Sequence, residues 1–174
     1  MDREQRDELA WRTVDSEIEY RCPGFEVRRD DVVLPDGTET SFHYVDEPPG
    51  VVVLPFTPDG DVVVIDEWRQ PVGRVNRSLP AGTSDGEDGD LASTARRELR
   101  EETGFEAERV ERFLSAEPSN GLIDATRHFF RAYGCEPDGE QRLDHNESIR
   151  VETVPYDDLL AAAVDDRLPD ERAV

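Results

Sequence analysis

The most informative segment of the chain covers residues 97–105 and reads Arg97-Glu98-Leu99-Arg100-Glu101-Glu102-Thr103-Gly104-Phe105. It completes a predicted helix over 91–103. Asp90 is a good N-cap for this helix because its side chain can accept a hydrogen bond from the first turn. Gly104 is the expected left-handed residue just past the helix end. These residues predict one well-delimited helix.

Three glutamates of this helix are predicted to project within about 100° of one another, since residues three and four apart share a face. They are Glu98, Glu101 and Glu102. Crowded carboxylates repel, and a hard cation such as Mg²⁺ or Mn²⁺, which takes oxygen ligands, relieves that repulsion. Arg97 lies one turn before Glu101 and is predicted to pair with it and orient the acidic face. The face therefore indicates a metal-dependent phosphate site.

The alternative interpretation of this face is a solvated acidic surface, because the chain has 42 acidic residues. A lone Glu-x-x-Glu-Glu would be unremarkable in such a chain. The fuller pattern Arg-Glu-x-x-Glu-Glu-x-Gly is expected by chance only about 0.002 times over the chain. The full pattern favours the metal site.

Strands are predicted on both sides of the helix, and the chain reads as one domain of mixed α+β class. A first hairpin pairs 25–34 with 41–45 through a turn at 35–37, and the extended region begins at residue 18. A second hairpin pairs 51–57 with 62–68. The remaining predictions are a loop over 70–90, strands near 110–116 and 126–133, a loop over 134–148, a strand at 149–154 and a last helix near 156–166.

The net charge of −22 limits the partners that this protein can have. Nucleic acid backbones and anionic membrane surfaces would be repelled, so neither is expected as a partner. A nucleotide-sized anion can still bind through local arginines, helix N-termini or metal ions. The hydrophobic share of 36% is low, but the apolar residues form organised runs such as 51–54 and 62–65, which argues against disorder.

All 20 basic residues are arginine, and there is no lysine. An acidic excess without lysine is typical of proteins from salt-loving microbes, where the Debye length falls to about 3 Å at 1 M salt. The alternative is an acidic protein from a genome whose base composition favours arginine codons.

Two cysteines, Cys22 and Cys135, lie far apart in the sequence and form neither a zinc motif nor a disulfide framework. The polar start of the chain lacks the apolar core of a signal peptide. No apolar run approaches the roughly 20 residues that span a membrane. We therefore expect two free thiols and a cytoplasmic location.

Gly82 together with residues 97–105 resembles the Nudix box, the signature of the Nudix hydrolases. Further segments look like the ADP-ribose pyrophosphatase branch of that family, and they lie at 11–19, 25–45, 49–53, 68–73, 79–82 and 144–151. The resemblance covers most of residues 11–170. It implies a Nudix-type α/β/α sandwich with a mixed sheet, plus an N-terminal antiparallel hairpin.

The resemblance implies hydrolysis of a diphosphate in ADP-ribose or a related nucleoside diphosphate sugar, giving a nucleoside monophosphate and a sugar phosphate. The implied metal ligands are the Ala81 carbonyl, Glu98, Glu101 and Glu102. The implied catalytic residues are Glu147, as general base, with Glu102 and Arg97. For Glu147 the alternative is an ordinary acid at a loop tip.

Substrate contacts are implied at Arg69, Trp68, Pro118 and Gly121. Arg69 could hold a substrate phosphate in a bidentate fashion, or could simply pair with nearby acids. Trp68 could stack on a base, although tryptophan is more often a packing residue. Pro118 lies 13 residues after Phe105, near the position of a proline in the ADP-ribose branch. Hydrolases of UDP- and GDP-sugars share this scaffold, so the base stays open.

Residues 1–48 are interpreted as an N-terminal arm and hairpin for dimerisation and substrate completion, and 49–174 as the catalytic domain. The resemblance implies a homodimer. The loop over 83–90 departs from the family spacing, so that either Glu87 or Asp88 takes the place of the first acid of the box. A competing interpretation is a non-catalytic Nudix domain that senses a nucleotide.

Overall fold

The computed structural model describes residues 8–84 and 89–173, which divide into two compact units. One unit contains residues up to Pro48 together with Glu117–Thr126, and the other contains Pro49–Ala116 together with the chain from Arg127. The two candidates for the first acid of the box, Glu87 and Asp88, lie outside the described residues.

The first unit is a four-stranded sheet in the order β1-β2-β3-β10. Its strands are β1 (Arg12–Cys22), β2 (Phe25–Val33), β3 (Glu39–Asp46) and β10 (Ile123–Asp124). The predicted hairpin of β2 and β3 is confirmed, with an antiparallel register from Glu26 opposite Asp46 to Val33 opposite Glu39. The chain is extended from Arg12, earlier than the expected residue 18, because β1 pairs along the whole of β2.

The second unit contains a seven-stranded mixed sheet with the path β13-β5-β4-β11-β9. Its strands are β4 (Gly50–Phe56), β5 (Val62–Arg69), β6 (Arg74–Ser78), β7 (Ala81–Thr83), β9 (Arg109–Ala116), β11 (Arg127–Tyr133) and β13 (Ile149–Val154), and a separate pair consists of β8 (Phe105–Glu106) and β12 (Glu136–Pro137). Helices α1 (Leu91–Thr103) and α2 (Tyr156–Val164) and a 3₁₀ turn (Glu171–Ala173) complete the unit. The loop predicted over 70–90 is wrong in part, because β6 pairs with β5 and β7 pairs with β4.

Strand β4 shows why this unit has three layers. Successive side chains of a strand point to opposite faces of the sheet. Val51 and Val53 pack with Ala95 and Leu99 of α1. Val52, on the other face, packs in a cluster that includes Leu159 and Ala162 of α2. One helix therefore covers each face, which confirms the expected α/β/α sandwich. No described helix is long and apolar enough to cross a membrane.

Candidate active site

Helix α1 is fixed at both ends by the predicted residues. The Asp90 carboxylate accepts a hydrogen bond from the Ser93 amide at 2.8 Å. Gly104 has φ 74°, and its amide donates to the Arg100 carbonyl at 2.8 Å. Leu99 is fully buried against the sheet, so the register of the helix is set. The nearby glutamates of the helix, Glu98 and Glu102, are thereby held in place.

Glu98 and Glu102 are buried against the backbone of β7, with exposed fractions of 9% and 3%. The Ala81 amide donates a hydrogen bond to Glu102 Oε2 at 2.9 Å. The Glu98 carboxylate lies so close to Gly82 that a Cβ placed there would be 2.1 Å from its carboxyl carbon. The backbone of residues 81–82 therefore forms a cradle for two carboxylates. This contact uses the Ala81 amide, and its carbonyl remains only a predicted ligand.

Burial raises the pKa of both carboxylates, to about 7 for Glu98 and about 8 for Glu102. For Glu98, Arg97 lowers the pKa while Glu101 and Glu147 raise it. For Glu102, the Ala81 amide lowers the pKa while the charges of Glu98 and Glu147 raise it. Buried acids that repel one another keep a proton near neutral pH until a cation replaces it.

Arg97 lies between Glu101 and Glu98 and contacts both carboxylates. Arg97 Nη1 lies 2.9 Å from Glu101 Oε2 and 3.0 Å from Glu98 Oε1, and Arg97 Nη2 donates to the Thr83 carbonyl at 3.3 Å. Within residues 8–84 and 89–173, no three acidic, thiol or imidazole side chains are gathered closely enough to hold a metal ion. The donor chemistry nevertheless fits a divalent metal, because two buried carboxylates with raised pKa share one cradle.

The loop that carries Glu147 is tied to the C-terminal end of α1. The Arg142 amide donates to the Glu101 carbonyl at 2.8 Å, and the Gln141 side chain donates to the Glu102 carbonyl at 2.6 Å. Glycine is required at 104, because a Cβ there would lie 2.5 Å from the Gly139 carbonyl oxygen. These contacts use carbonyls that a helix end leaves without partners.

The negative charge of Glu147 acts on the two buried glutamates of α1. Its Oε2 accepts a hydrogen bond from the Asp144 amide at 2.8 Å, within the loop. After burial, its negative charge is among the causes that raise the pKa of Glu98 and Glu102. Glu147 therefore adds negative charge to the surroundings of both glutamates, and its place as a catalytic residue stays a prediction.

Arg69 and Trp68 lie at the end of β5. Arg69 Nη2 is 2.6 Å from Glu67 Oε2, so in this structure the arginine is engaged with an acid. Trp68 is about half exposed, and its Nε1 donates to the Gln70 side chain at 2.9 Å. The exposed indole is free to contact a ligand.

The sequence prediction missed three charged residues beside Arg69. Glu67 is 6% exposed at the end of a buried strand, and burial raises its pKa although Arg69 and Arg172 oppose this. Arg172, in the 3₁₀ turn, donates from Nε and Nη2 to the two oxygens of Asp170 at 2.9 and 2.6 Å. Burial lowers the pKa of Arg69, and the positive charge of Arg172 lowers it further. The place of Glu67 two residues after the apolar run 62–65, in the same strand, was a usable signal for a buried charge, whereas Asp170 and Arg172 gave none.

Pro118 and Gly121 belong to the other compact unit. Pro118 is buried, and Ser119 beside it has φ 47°, in the left-handed region. Gly121 lines a cavity of about 230 Å³ together with Phe42 and Tyr44. Their role in substrate binding stays a prediction.

Replacing Gly82 with alanine is expected to reduce activity by about ten- to a hundredfold with little loss of stability. The new Cβ would force the Glu98 carboxylate to move, and displacements of about 1 Å at a reacting centre cost rates of this order. Steady-state kinetics and thermal melting measure the two effects. Gly139→Ala is the matched control, because a Cβ at that position meets nothing within 4 Å. Equal activity of the two variants would contradict the role of the cradle.

Comparison with known proteins agrees with this fold. Residues 46–172 match the NUDIX domain family model, and residues 11–45 match the nucleoside diphosphate sugar hydrolase N-terminal domain. The chain therefore belongs to the Nudix family and is a Nudix hydrolase, of the kind that carries this N-terminal domain. Nudix hydrolases generally use divalent metals.

Individual relatives carry several names. The chain is 34% identical to an ADP-ribose pyrophosphatase of Bacillus subtilis over 154 residues, 87% of this chain and 82% of that protein. It is 30% identical to the methanol dehydrogenase activator of Bacillus methanolicus, covering 94% and 88%. It is 29% identical to a GDP-mannose pyrophosphatase of Yersinia pestis, covering 66% and 61%. A crystal structure of an ADP compounds hydrolase shares the fold, with TM-score 0.81, 18% identity and coverage of 95% and 89%.

Proposed function

We propose that the protein hydrolyses the diphosphate of ADP-ribose or a closely related nucleoside diphosphate sugar, with Mg²⁺ as the metal and Mn²⁺ as a substitute. The products are a nucleoside monophosphate and a sugar phosphate. The observation that carries this proposal is the pair of buried glutamates in the backbone cradle of β7. The name of the Bacillus subtilis relative supports ADP-ribose as the substrate.

Each residue of the site has a distinct task in this proposal. Glu98 and Glu102 hold the metal together with Glu101, whose ion pair with Arg97 keeps it beside the site. When bound, the metal supplies charge neutralisation and an activated water. Glu147 accepts the proton of the attacking water, because its loop brings a carboxylate toward α1 from a second element.

Arg69 binds a phosphate of the substrate in this proposal, and Trp68 presents its exposed face to the nucleotide. Arg69 is held by Glu67 in the absence of substrate, so the phosphate competes with a carboxylate for the same guanidinium. Pro118 and Gly121 are proposed to contact the terminal sugar.

The experiment that tests this function is a substrate panel. Release of AMP from ADP-ribose with Mg²⁺ supports the first substrate. A second candidate is a GDP-sugar, favoured by the similarity to GDP-mannose pyrophosphatases. Turnover of GDP- or UDP-sugars alone would move the assignment to that class. Binding of these nucleotides without turnover would indicate a non-catalytic sensor.

We propose a homodimer formed through the N-terminal sheet, and a cytoplasmic location. Large apolar side chains remain exposed on this unit, among them Trp11, Ile18, Tyr20 and Phe42. Exposed apolar area of this kind marks association surfaces. Both cysteines are free thiols, as expected in a reducing compartment.

Melting temperature is expected to rise by several degrees between dilute buffer and molar KCl. The net charge of −22 causes self-repulsion, which salt screens, and this agrees with a salt-loving source. Differential scanning fluorimetry across a KCl series measures the effect, and a matched sorbitol series controls for general solute effects. A melting temperature that stays flat would contradict the proposal of salt adaptation.

A further inference from the structure

A cavity of about 310 Å³ lies beside the second half of α1. Its lining carries more positive than negative side chains, although the protein as a whole is strongly negative. Its lining consists of Arg96, Arg97, Arg100, Glu101, Glu106, Ala107 and Arg142. Four arginines against two glutamates leave two positive charges in excess, in a chain whose net charge is −22. Such a local reversal of charge favours an anion.

Two of the four arginines already have carboxylate partners. Arg97 is paired with Glu101 at 2.9 Å and with Glu98 at 3.0 Å. Arg100 Nη1 lies 2.8 Å from Glu106, and Arg100 Nη2 lies 3.5 Å from Asp138. These pairs neutralise the walls of the cavity without using the other two guanidinium groups.

Arg96 and Arg142 supply the excess charge. Arg96 donates to the carbonyl oxygens of Ala107 and Glu108, at 2.5 and 3.4 Å, which carry no net charge. The Arg142 side chain has no hydrogen bond or ion pair with any residue in the described ranges. Its backbone is fixed, since its amide donates to the Glu101 carbonyl at 2.8 Å. Backbone carbonyls thus brace the guanidinium of Arg96, and the Arg142 side chain lines the same cavity from a fixed backbone position.

We propose that this arginine-lined cavity binds a phosphate group, either as inorganic phosphate or as the phosphate of a phosphomonoester. A phosphate group carries about −1.5 to −2 charges at neutral pH, which matches the two uncompensated arginines. The planar guanidinium fork suits phosphate oxygens. The volume accepts a small ligand, near the lower end of ordinary ligand pockets. The buried pair Glu98 and Glu102 does not line this cavity, whereas Arg97 and Glu101 line it and also belong to the proposed metal site. The two sites therefore lie side by side on α1.

The test is calorimetric titration of the full-length protein with inorganic phosphate, without divalent metal and with a chelator present. The wild type is expected to bind one phosphate. Arg96→Gln and Arg142→Gln are each expected to weaken binding by about tenfold, because each removes one charged donor group. Arg167→Gln is the matched control. It removes an exposed arginine that pairs with Asp165 on another part of the surface, and it is expected to bind as the wild type does.

The source of the phosphate is resolved by titrating AMP and ribose 5-phosphate in the same way. Tighter binding of a monoester, with the same loss in the Arg142→Gln variant, assigns the site to a phosphomonoester. Equal or weaker binding of the monoesters assigns it to free phosphate. Absence of phosphate binding, or equal binding by wild type and the Arg96→Gln, Arg142→Gln double variant, would overturn the proposal. No turnover is involved, so the result does not depend on the proposed hydrolysis.

Discussion

Replacement of Glu102 with glutamine is expected to reduce turnover at saturating Mg²⁺ by about a hundredfold or more. Glutamine keeps the shape of the side chain, and its amide oxygen can accept the hydrogen bond from the Ala81 amide. The substitution removes the negative charge that would hold the metal. Loss of groups that merely support a ligand costs about 10- to 100-fold, so loss of a ligand itself is expected to cost at least as much. Steady-state kinetics across a Mg²⁺ series measure the effect.

The control for this substitution is Glu136→Gln, which changes an exposed acid on β12. That variant is expected to retain wild-type kinetics. The Glu102→Gln protein is expected to melt at or above the wild-type temperature without metal, because it no longer places a buried acid in the cradle. Near-normal turnover by a folded Glu102→Gln protein would remove Glu102 from the reaction.

Without divalent metal, the protein is expected to lose stability between pH 5 and pH 8. Glu98 and Glu102 have folded-state pKa values of about 7 and about 8, raised by burial from 4.5. Stability from these groups is present below pH 4.5 and is lost as pH rises through the folded pKa values, because only the unfolded chain ionises freely there. One pKa unit corresponds to about 1.4 kcal/mol, and we expect the loss to reach at least that size.

Mg²⁺ is expected to restore stability at pH 8 and to have little effect at pH 5, where protons occupy the same carboxylates. Thermal melting at both pH values, with and without Mg²⁺, measures this. The Glu98→Gln, Glu102→Gln double variant controls for the many other acids of the chain and is expected to show a smaller pH slope and no response to Mg²⁺. If melting temperature fell equally with pH in the wild type and in the double variant, Glu98 and Glu102 would not be the source of the lost stability.

Much of the fold follows from local sequence signals. Asp90 and Gly104 set the bounds of α1 because capping depends on residues within one turn. The apolar runs at 51–54 and 62–65 form strands β4 and β5 in the sheet, because each run has to be buried. Strands β6 and β7 were missed because their pairing with β5 and β4 is a tertiary property, and their own residues read as a loop rich in proline and glycine.

The site was predictable where its residues share one helix. Glu98 and Glu102 occupy one face through helix geometry alone, and the resemblance to the Nudix box adds their expected role. The contact of Glu98 with Gly82 depends on how β7 packs against α1, which no local pattern encodes. The ion pair of Asp170 and Arg172 was missed for the same reason, because about a hundred residues separate it from Arg69 along the chain. Arg142 reaches the cavity beside α1 only through the fold of its loop, and no local pattern marks it.

The most direct test of the proposed function is product analysis of ADP-ribose incubated with the wild-type protein, Mg²⁺ and molar KCl. We predict equal amounts of AMP and ribose 5-phosphate, and no products when a chelator replaces Mg²⁺. If ADP-ribose, UDP-sugars and GDP-sugars all remained intact with a folded protein that binds Mg²⁺, the proposed hydrolysis would be wrong.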